Sequence, residues 1–233
     1  MRILAIDAST EICAIAVGGD DIDWDERALV AGQGHSELLL PMIRGLLGKH
    51  GLGLSELGGV AFGAGPGAFT GLRMACGVAQ GLALGAGLPV LGISTLEGLA
   101  ETARQRHRSE RIIAALDARA QEVYIGAYRY QGGEWREAVA PAVVAPDAAP
   151  LPEDTGWTGI GSGFAAYPAL RERCGPSMTS CDSTLSPTAT ALGRLALPRF
   201  AAGEGVAARD AAPIYLRHKV ALTSAERALG RQR

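Results

Sequence analysis

Gly63-Ala-Gly-Pro-Gly-Ala-Phe-Thr-Gly-Leu-Arg73 is the stretch that decides the fold, because it predicts a tight loop followed directly by a helix. Glycine adopts backbone angles that other residues resist, and proline disfavours a helix directly before it. Thr70 is a good N-cap residue, and Phe69 before it with Met74 after it matches a hydrophobic staple. We therefore expect the helix to begin near Gly71.

The predicted helix runs to about Gly87 and carries glycines four residues apart, at Gly77, Gly81 and Gly85. Each glycine in a helix interior costs about 1 kcal/mol relative to alanine, so close packing must offset the cost of the row. Two interpretations remain open. The glycines let another element of the same domain approach, or they contact another subunit. A membrane span is rejected, because Pro89 ends the apolar run too early.

Composition describes an ordinary globular chain of one or two compact lobes. The 233 residues are 48% hydrophobic, with a formal net charge of -2 and a pI near 6.1. This charge gives no global attraction to nucleic acid or anionic lipid, so we expect no membrane association and only local or indirect contact with RNA. Four cysteines without CxxC spacing, and no signal-like segment before the first strand, predict a cytoplasmic protein.

The predicted elements follow the order β-β-β-α-β-α-β-α in the first half, and the second half begins the same pattern again. The first strand of each half ends in an aspartate, Asp7 or Asp117, followed by a short turn and a return strand. A Pro/Ala-rich segment, 140–152, replaces the first helix of the second half. We therefore predict an α/β fold of two similar lobes. The predicted divisions are residues 1–107 for the first lobe, 108–212 for the second and 213–233 for a C-terminal tail.

Two lobes with an aspartate-bearing hairpin facing a cleft are the arrangement in which actin, hexokinase and Hsp70 ATPases hold nucleotide phosphates. Such sites usually need glycine in the turns so that the backbone can approach the phosphate, and neither turn here has it at the critical place. For both aspartates we favour a carboxylate that caps backbone amides of its own turn. The alternative is a weak nucleotide-binding ATPase of the actin-like superfamily, with ATP as its cofactor. Its candidate residues are Asp7, Ser9, Thr10, Asp117, Gly161 and Gly163.

No catalytic constellation is visible in the sequence. The four histidines, His35, His50, His107 and His218, form no i, i+4 pair that could bind a metal on one helix face. There is no GxSxG motif and no cysteine with a nearby histidine motif. The arginines of segment 104–111 are compatible with a small RNA patch, but a solvated helix end is favoured. We therefore expect no catalytic residue, metal or tightly bound cofactor.

Six motifs are together specific enough to indicate a family. They are Met1-Arg-Ile-Leu-Ala-Ile-Asp-Ala-Ser-Thr10, His35-Ser with Leu40-Pro41, Gly65-Pro-Gly-Ala-Phe-Thr-Gly-Leu-Arg73, Gln80-Gly-Leu-Ala83, Asp117-Ala-Arg119 with Glu122-Val-Tyr124, and Pro213-Ile-Tyr-Leu-Arg217. In this order, and over almost the whole chain, they resemble the TsaB family of bacterial tRNA threonylcarbamoyladenosine biosynthesis proteins, formerly called YeaZ. The resemblance implies an actin-like ATPase-domain fold, a duplicated RNase H-like architecture with mixed sheets flanked by helices.

The resemblance also implies a role in making threonylcarbamoyladenosine next to the anticodon of tRNAs that read codons beginning with A. In that pathway TsaC makes threonylcarbamoyl-AMP, TsaD transfers the group to tRNA, and TsaE is an ATPase that binds the TsaB–TsaD pair. The family implies a non-catalytic scaffold that dimerises with TsaD and forms a homodimer when alone. tRNA is then reached indirectly, through the complex.

Members of this family resemble a non-catalytic paralogue of TsaD. Where TsaD has His-His-Met-Glu-Gly-His for its metal, the matching stretch here is Ser94-Thr-Leu-Glu-Gly-Leu99. Thr95 and Leu99 occupy the positions of the metal-binding histidines, and neither can replace an imidazole. Ala68 departs from the family pattern, since many members have serine there, and this leaves open any role for a hydroxyl in that loop.

A partner interface on the first-lobe helices is the last implication of the resemblance. We expect it on the glycine row and on the apolar face of the helix from Leu39 to Leu47. The candidate interface residues are Leu39, Met42, Ile43, Leu46, Arg73, Gly77, Gln80, Gly81, Leu84 and Gly85. The sequence leaves open how homodimer and heterodimer compete, whether the chain contacts tRNA directly, and whether the last dozen residues are ordered.

Overall fold

A computed structural model describes residues 1–31 and 34–217 of the chain. The question of order in the last dozen residues therefore lies outside the described residues. The elements of the first half are β1 (Arg2–Asp7), β2 (Ile12–Gly19), β3 (Asp25–Val30), α1 (His35–Lys49), β4 (Gly59–Gly65), α2 (Phe69–Ala86), β5 (Val90–Ser94) and α3 (Thr95–His107). Those of the second half are β6 (Arg111–Asp117), β7 (Val123–Gln131), β8 (Glu134–Val144), β9 (Trp157–Ile160), α4 (Gly163–Ala166), α5 (Pro168–Cys174), β10 (Met178–Asp182) and α6 (Ala189–Ala201).

Each half contributes one five-stranded mixed sheet, and the two sheets share one strand order. The first is β3-β2-β1-β4-β5 and the second is β8-β7-β6-β9-β10. In both, the first three strands pair antiparallel and the last two run parallel to the opening strand. This repetition confirms the predicted two-lobed, actin-like fold. The Pro/Ala-rich segment of the second half holds a short 3-10 turn, Pro146–Ala148, where the first half has a helix.

Helices α1 and α2 cover the outer face of the first sheet because each has an apolar stripe at helical spacing. In α1 the buried positions are Leu39, Ile43, Leu46 and Leu47, which follow the 3.6-residue period. Pro41 lies inside this helix, on its exposed side. None of the helices in the described ranges is long and apolar enough to cross a membrane.

Helices α3 and α6 cross between the lobes. Side chains of α6, such as Leu192 and Phe200, are buried against the inner face of the first sheet. Side chains of α3, such as Leu96 and Leu99, are buried against the second sheet. The strands divide near residue 108 as predicted, but each of these helices completes the core of the opposite lobe.

The start of α2 also differs from the expectation. The N-cap is Ala68, with no side-chain cap, so Thr70 is already the second helical residue. The Ala68 carbonyl accepts the Leu72 N–H at 2.9 Å, while the Ala68 N–H donates to the Ser9 carbonyl at 2.8 Å. Contact with the β1–β2 turn therefore fixes the first residue of the helix, and the predicted cap and staple do not form.

We expect Gly98→Ala to destabilise the fold by about 1–3 kcal/mol, because the added Cβ would overlap the buried side chain of Leu192 where α3 meets α6. Gly45→Ala is the matched control, since a Cβ at this exposed position of α1 meets nothing within 4 Å. The control should gain about 1 kcal/mol from helix propensity. Urea unfolding of both variants measures the difference, and equal shifts would contradict close packing at Gly98.

Candidate functional site

Helix α2 carries two rows of small residues on opposite faces. A Cβ built on Gly77, Gly81 or Gly85 meets nothing within 4 Å among the described residues. The neighbouring alanine row, which includes Ala75 and Ala79, is fully buried against the sheet. Packing within residues 1–31 and 34–217 therefore does not explain the glycine row.

The exposed part of this surface includes large apolar side chains. Leu84 on α2 is 77% exposed and Leu40 on α1 is 52% exposed. A groove of about 440 Å³ lies between the helices and the loop after α1, with walls formed mainly by leucines, among them Leu40, Leu47 and Leu82. We call the exposed residues Leu40, Gly77, Gly81, Leu84 and Gly85 the α1–α2 face.

Six of the ten predicted interface residues take other places, Arg73 among them as described below. Leu39 and Leu46 are buried in the first core, so their side chains are not available to a partner, and Ile43 is largely buried at the wall of the groove. The amphipathic pattern of α1 was assigned to the wrong surface, because its apolar stripe covers the sheet. Met42 packs partly against the same core. Gln80 is half-buried, and its Nε2 donates to the Ala211 carbonyl at 3.0 Å.

A cleft of about 1150 Å³ lies between the lobes, lined by both hairpin turns, the start of α2 and the chain near residue 215. Asp7 is buried behind Ser9, outside the lining of the cleft, and its Oδ1 accepts the Ser9 N–H at 3.1 Å. Burial raises the pKa of Asp7 to about 6, and hydrogen bonding from Ser9 opposes this shift. Thr10 likewise caps its own turn, with Oγ1 accepting the Ile12 N–H at 3.2 Å.

The second hairpin turn uses its carboxylate in the same way. Asp117 Oδ1 accepts the Arg119 N–H at 2.8 Å and the Tyr167 hydroxyl at 2.7 Å. The interpretation that both aspartates cap their own turns is thus confirmed. Three residues of this turn, Arg119, Ala120 and Gln121, have φ of 62°, 51° and 60°. These left-handed angles are costly for residues with a Cβ.

The glycine turn after β9 serves packing inside the second lobe. A Cβ on Gly161, which has φ of 106°, would overlap the Ala115 carbonyl and the Leu99 side chain. A Cβ on Gly163 would overlap Val123 and Ala115. These contacts explain both glycines by packing, and the role of Gly161 and Gly163 in binding a nucleotide stays a prediction.

The start of α3 corresponds to the metal-binding motif of TsaD. In this chain that region is closed by its own side chains. Thr95 and Leu99 are both fully buried, and the Leu99 side chain lies against the glycine turn after β9. His50 pairs with Asp25 at 2.8 Å. Across residues 1–31 and 34–217 no three His, Cys, Asp or Glu side chains are grouped as metal ligands. His218 lies outside the described residues.

The charged end of α3 is largely neutralised by its own neighbours. Arg104 pairs with Glu101 at 2.8 Å, and His107 pairs with Asp182 at 3.0 Å. Arg111, which opens β6, pairs with an aspartate of the second lobe at 3.2 Å. These pairs support the interpretation of segment 104–111 as a solvated helix end.

Residues 213–217, which we call the strap, line the cleft and are bound to the first lobe. The Ile214 N–H donates to the Ala64 carbonyl at 2.8 Å. The Tyr215 hydroxyl accepts a hydrogen bond from Arg73 Nε at 2.9 Å. Arg73 was predicted to contact a partner, and it is already engaged by the strap.

The other end of the strap is bound to the second lobe. Arg217 forms an ion pair with Glu122, and its guanidinium lies 5.9 Å from the centroid of the Tyr124 ring. The sequence singled out Pro213-Ile-Tyr-Leu-Arg217 as a motif but gave no signal for this bridging role. Only the fold brings the motif to the cleft.

Known proteins match this chain along most of its length. The sequence model of the family described as "TsaD: tRNA N6-adenosine threonylcarbamoyltransferase" covers residues 29–223. The tRNA threonylcarbamoyladenosine biosynthesis protein TsaB of Escherichia coli (strain K12) is 38% identical over 225 residues, covering 95% of this chain and 96% of that protein. The chain belongs to the TsaB family.

Two further TsaB-family proteins agree with this assignment. TsaB of Haemophilus influenzae is 38% identical over 232 residues, covering 94% of this chain and 95% of that protein. The solved structure of YeaZ from Pseudomonas aeruginosa is 42% identical and superposes with a TM-score of 0.86, covering 92% of this chain and 99% of that chain. The family resemblance drawn from the six motifs is confirmed.

We expect Asp7→Asn to raise the free energy of unfolding at pH 7 by up to about 3 kcal/mol, because burial shifts this carboxyl by about two pKa units at ~1.4 kcal/mol each. The native state binds this proton more tightly than the unfolded chain, so stability falls as the pH rises through the range from about 4 to 6. The gain should vanish near pH 3, where both states are protonated.

Urea unfolding at pH 3 and pH 7 measures this dependence. Asp21→Asn is the control of opposite sign, since the hydrogen bond from Arg2 lowers the pKa of the exposed Asp21. The control should lose more stability at pH 7 than at pH 3, because the contribution of Asp21 falls only as the pH drops below the ordinary aspartate pKa. A gain for Asp7→Asn that does not change with pH would contradict the assignment.

We expect Ala120→Gly to raise the free energy of unfolding by about 0.5–1 kcal/mol, because glycine adopts φ of 51° without the Cβ cost. Ala28→Gly in the exposed edge strand β3 is the matched control and should lose about 0.5–1 kcal/mol. Thermal and urea unfolding compare the two. Equal losses would show that residue 120 is not held in the left-handed region.

Proposed function

We propose that this chain is the non-catalytic scaffold and activator subunit of the cytoplasmic machinery that makes threonylcarbamoyladenosine next to the anticodon of tRNAs reading codons that begin with A. Its direct partner is TsaD, TsaE joins the pair, and tRNA is reached through the complex. Membership of the TsaB family supports the pathway. The observation that carries the scaffold role is the open glycine row on α2.

The glycine row destabilises helix α2, and no packing among the described residues of the lobe offsets this. Three interior glycines cost a helix about 3 kcal/mol relative to alanine, and Gly77, Gly81 and Gly85 contact nothing on the described surface. A helix from another subunit can approach such a row more closely than one bearing side chains, and dense contact offsets the cost. The row therefore fits a helix–helix interface between subunits.

The rest of the α1–α2 face has the chemistry of such an interface. Leu84 projects beside the glycine row, and the apolar groove next to Leu40 can receive a projecting side chain from a partner. The match to the TsaD sequence model extends over residues 29–223, which include both helices. TsaD is therefore expected to present a corresponding helix pair, and two such pairs pack around an approximate two-fold axis. A homodimer uses the same surface.

The side chains at the start of α3 agree with an activating role that involves no catalysis. Thr95 and Leu99 offer a hydroxyl and a hydrocarbon chain, and both are sealed in the core. The chain then acts by binding: contact through the α1–α2 face favours the competent conformation of TsaD over other conformations. This mechanism requires that the interface, and not the cleft, carries the activity.

Gly81→Leu tests the interface directly. We expect at least a tenfold loss of TsaD affinity by calorimetry and loss of the homodimer by ultracentrifugation, because the leucine fills the space that a partner helix needs. The monomer should stay folded with an unchanged or higher melting temperature, since a Cβ at residue 81 meets nothing. Ala201→Leu on α6 is the matched control, because it adds the same side chain at an exposed position across the sheet.

Threonylcarbamoyladenosine formed on unmodified tRNA by TsaC, TsaD and TsaE is the functional readout. We expect product with the unaltered chain and with Ala201→Leu, and little with Gly81→Leu. Equal product without the chain would end the activator proposal. Full TsaD binding by Gly81→Leu would instead place the interface elsewhere.

A further inference from the structure

Strand β3 is an edge of the first sheet, and its second half is apolar and exposed. It pairs with β2 on one side, and this pairing has no register shift. Ala28, Leu29 and Val30 are exposed in succession, with Leu29 50% and Val30 81% exposed. Native proteins usually block an edge of this kind, because its free N–H and C=O groups can pair with another strand.

The other three sheet edges are each protected within the described residues. Strand β8 contains Pro141, and its pairing with β7 has two register shifts. Strand β5 is covered at Val90, which exchanges backbone hydrogen bonds with Val206. The pairing of β10 with β9 is interrupted by a register shift. Proline, bulges and covering segments are the usual devices that block an edge, and β3 has none of them.

The pairing with β2 shows which backbone groups of β3 point outward. The Ala31 N–H donates to the Glu11 carbonyl at 2.9 Å. In an antiparallel pair the bonded residues alternate, so residues 27 and 29 also bond to β2, whereas residues 26, 28 and 30 direct their N–H and C=O groups to the free edge. Across residues 1–31 and 34–217 these outward groups have no hydrogen-bond partner.

One register would satisfy this edge with a second copy of the same strand. The second β3 would run antiparallel, with Leu29 opposite Leu29 of the other copy. Ala28 and Val30 would then exchange both backbone hydrogen bonds with Val30 and Ala28 of the other copy. Each exposed apolar residue would lie against another, which favours cross-strand pairing. A shift by one residue would oppose outward groups to groups already bonded to β2, and a shift by two would remove the Leu29 pair.

The charges near β3 also suit a second copy. In this register Arg27 lies opposite Ala31 of the other copy, and Glu11 is the next residue across the sheet from that Ala31. Strands are about 4.8 Å apart, so Arg27 would lie about 10 Å from this Glu11, with only a methyl group between them. An arginine side chain spans that distance. Arg27 and Glu11 are both exposed, and neither forms an ion pair in the part of the chain that the structure describes.

We infer that two copies of this chain pair through β3, antiparallel and centred on Leu29, so that their first sheets form one continuous sheet. Backbone hydrogen bonds, apolar cross-strand pairs and symmetric ion pairs between Arg27 and Glu11 hold the copies together. The contact involves few residues, so it is weaker than an interface of standard size and depends on protein concentration. None of its residues belongs to the α1–α2 face, so its failure leaves the proposed scaffold role intact.

Disulfide trapping of Leu29→Cys tests the register. Opposite residues that are not bonded to each other have Cα atoms about 4.5 Å apart, which a disulfide can join. We expect mild oxidation to give a covalent dimer that reduction separates. Arg27→Cys is the matched control, because it is exposed on the same face of β3 but lies opposite Ala31. It should give about tenfold less dimer than Leu29→Cys. The unaltered chain, with its four native cysteines, gives the background.

Trapping in the Gly81→Leu chain separates this contact from the α1–α2 face. The yield of Leu29→Cys dimer should not change there, since β3 does not use residue 81. A yield that falls to the level of Arg27→Cys would assign the trapped dimer to the α1–α2 face and overturn the inference. Equal trapping at residues 27 and 29, or no trapping at either, would overturn it as well.

Opposite charges at residue 29 give a second measurement. Leu29→Lys and Leu29→Glu should each weaken self-association of the Gly81→Leu chain about tenfold in ultracentrifugation, because like charges then face each other. A mixture of the two variants should associate again. Ala138→Lys, at an exposed position of the protected edge strand β8, is the control and should associate normally. A mixture that stays dissociated would contradict the register.

Discussion

The exchange of α3 and α6 between the lobes is the constraint on which the rest of the structure depends. Each helix leaves the last strand of one sheet and completes the core of the other. The two touch where Gly98 lies against Leu192, and nearby the Thr188 N–H donates to Thr102 Oγ1 at 3.1 Å. Neither lobe can separate from the other without exposing both cores. The cleft is therefore a permanent feature of the fold.

Much of the fold could be predicted from the sequence because most elements have a clear period. Strand Arg2–Asp7 and helix Thr95–His107, with its Ser94 N-cap, form close to where the pattern indicates. The crossing of α3 and α6 could not be predicted, since an apolar stripe shows that a helix face is buried but not which sheet covers it. The start of α2 was missed because a tertiary contact with Ser9 overrides the preference of Thr70 for the N-cap.

The candidate site was less predictable for the same reason. Periodicity marked Leu39 as part of an apolar face, and only the packing shows that this face covers the sheet. The glycine row was visible in the sequence. Its two interpretations differ only in what lies opposite Gly81, and only the three-dimensional structure shows this. The capping roles of Asp7 and Asp117 were predictable, because short turns with Asp and Ser have a known local chemistry.

The strap connects the two lobes a second time. It does so through hydrogen bonds and an ion pair, whereas the exchanged helices bury apolar cores. Its first-lobe end is bonded to Arg73 in the same turn of α2 that lies next to the α1–α2 face, and its other end is bonded to Glu122 in the second hairpin. One short segment of backbone therefore joins the start of α2 to the opposite wall of the cleft, across the opening.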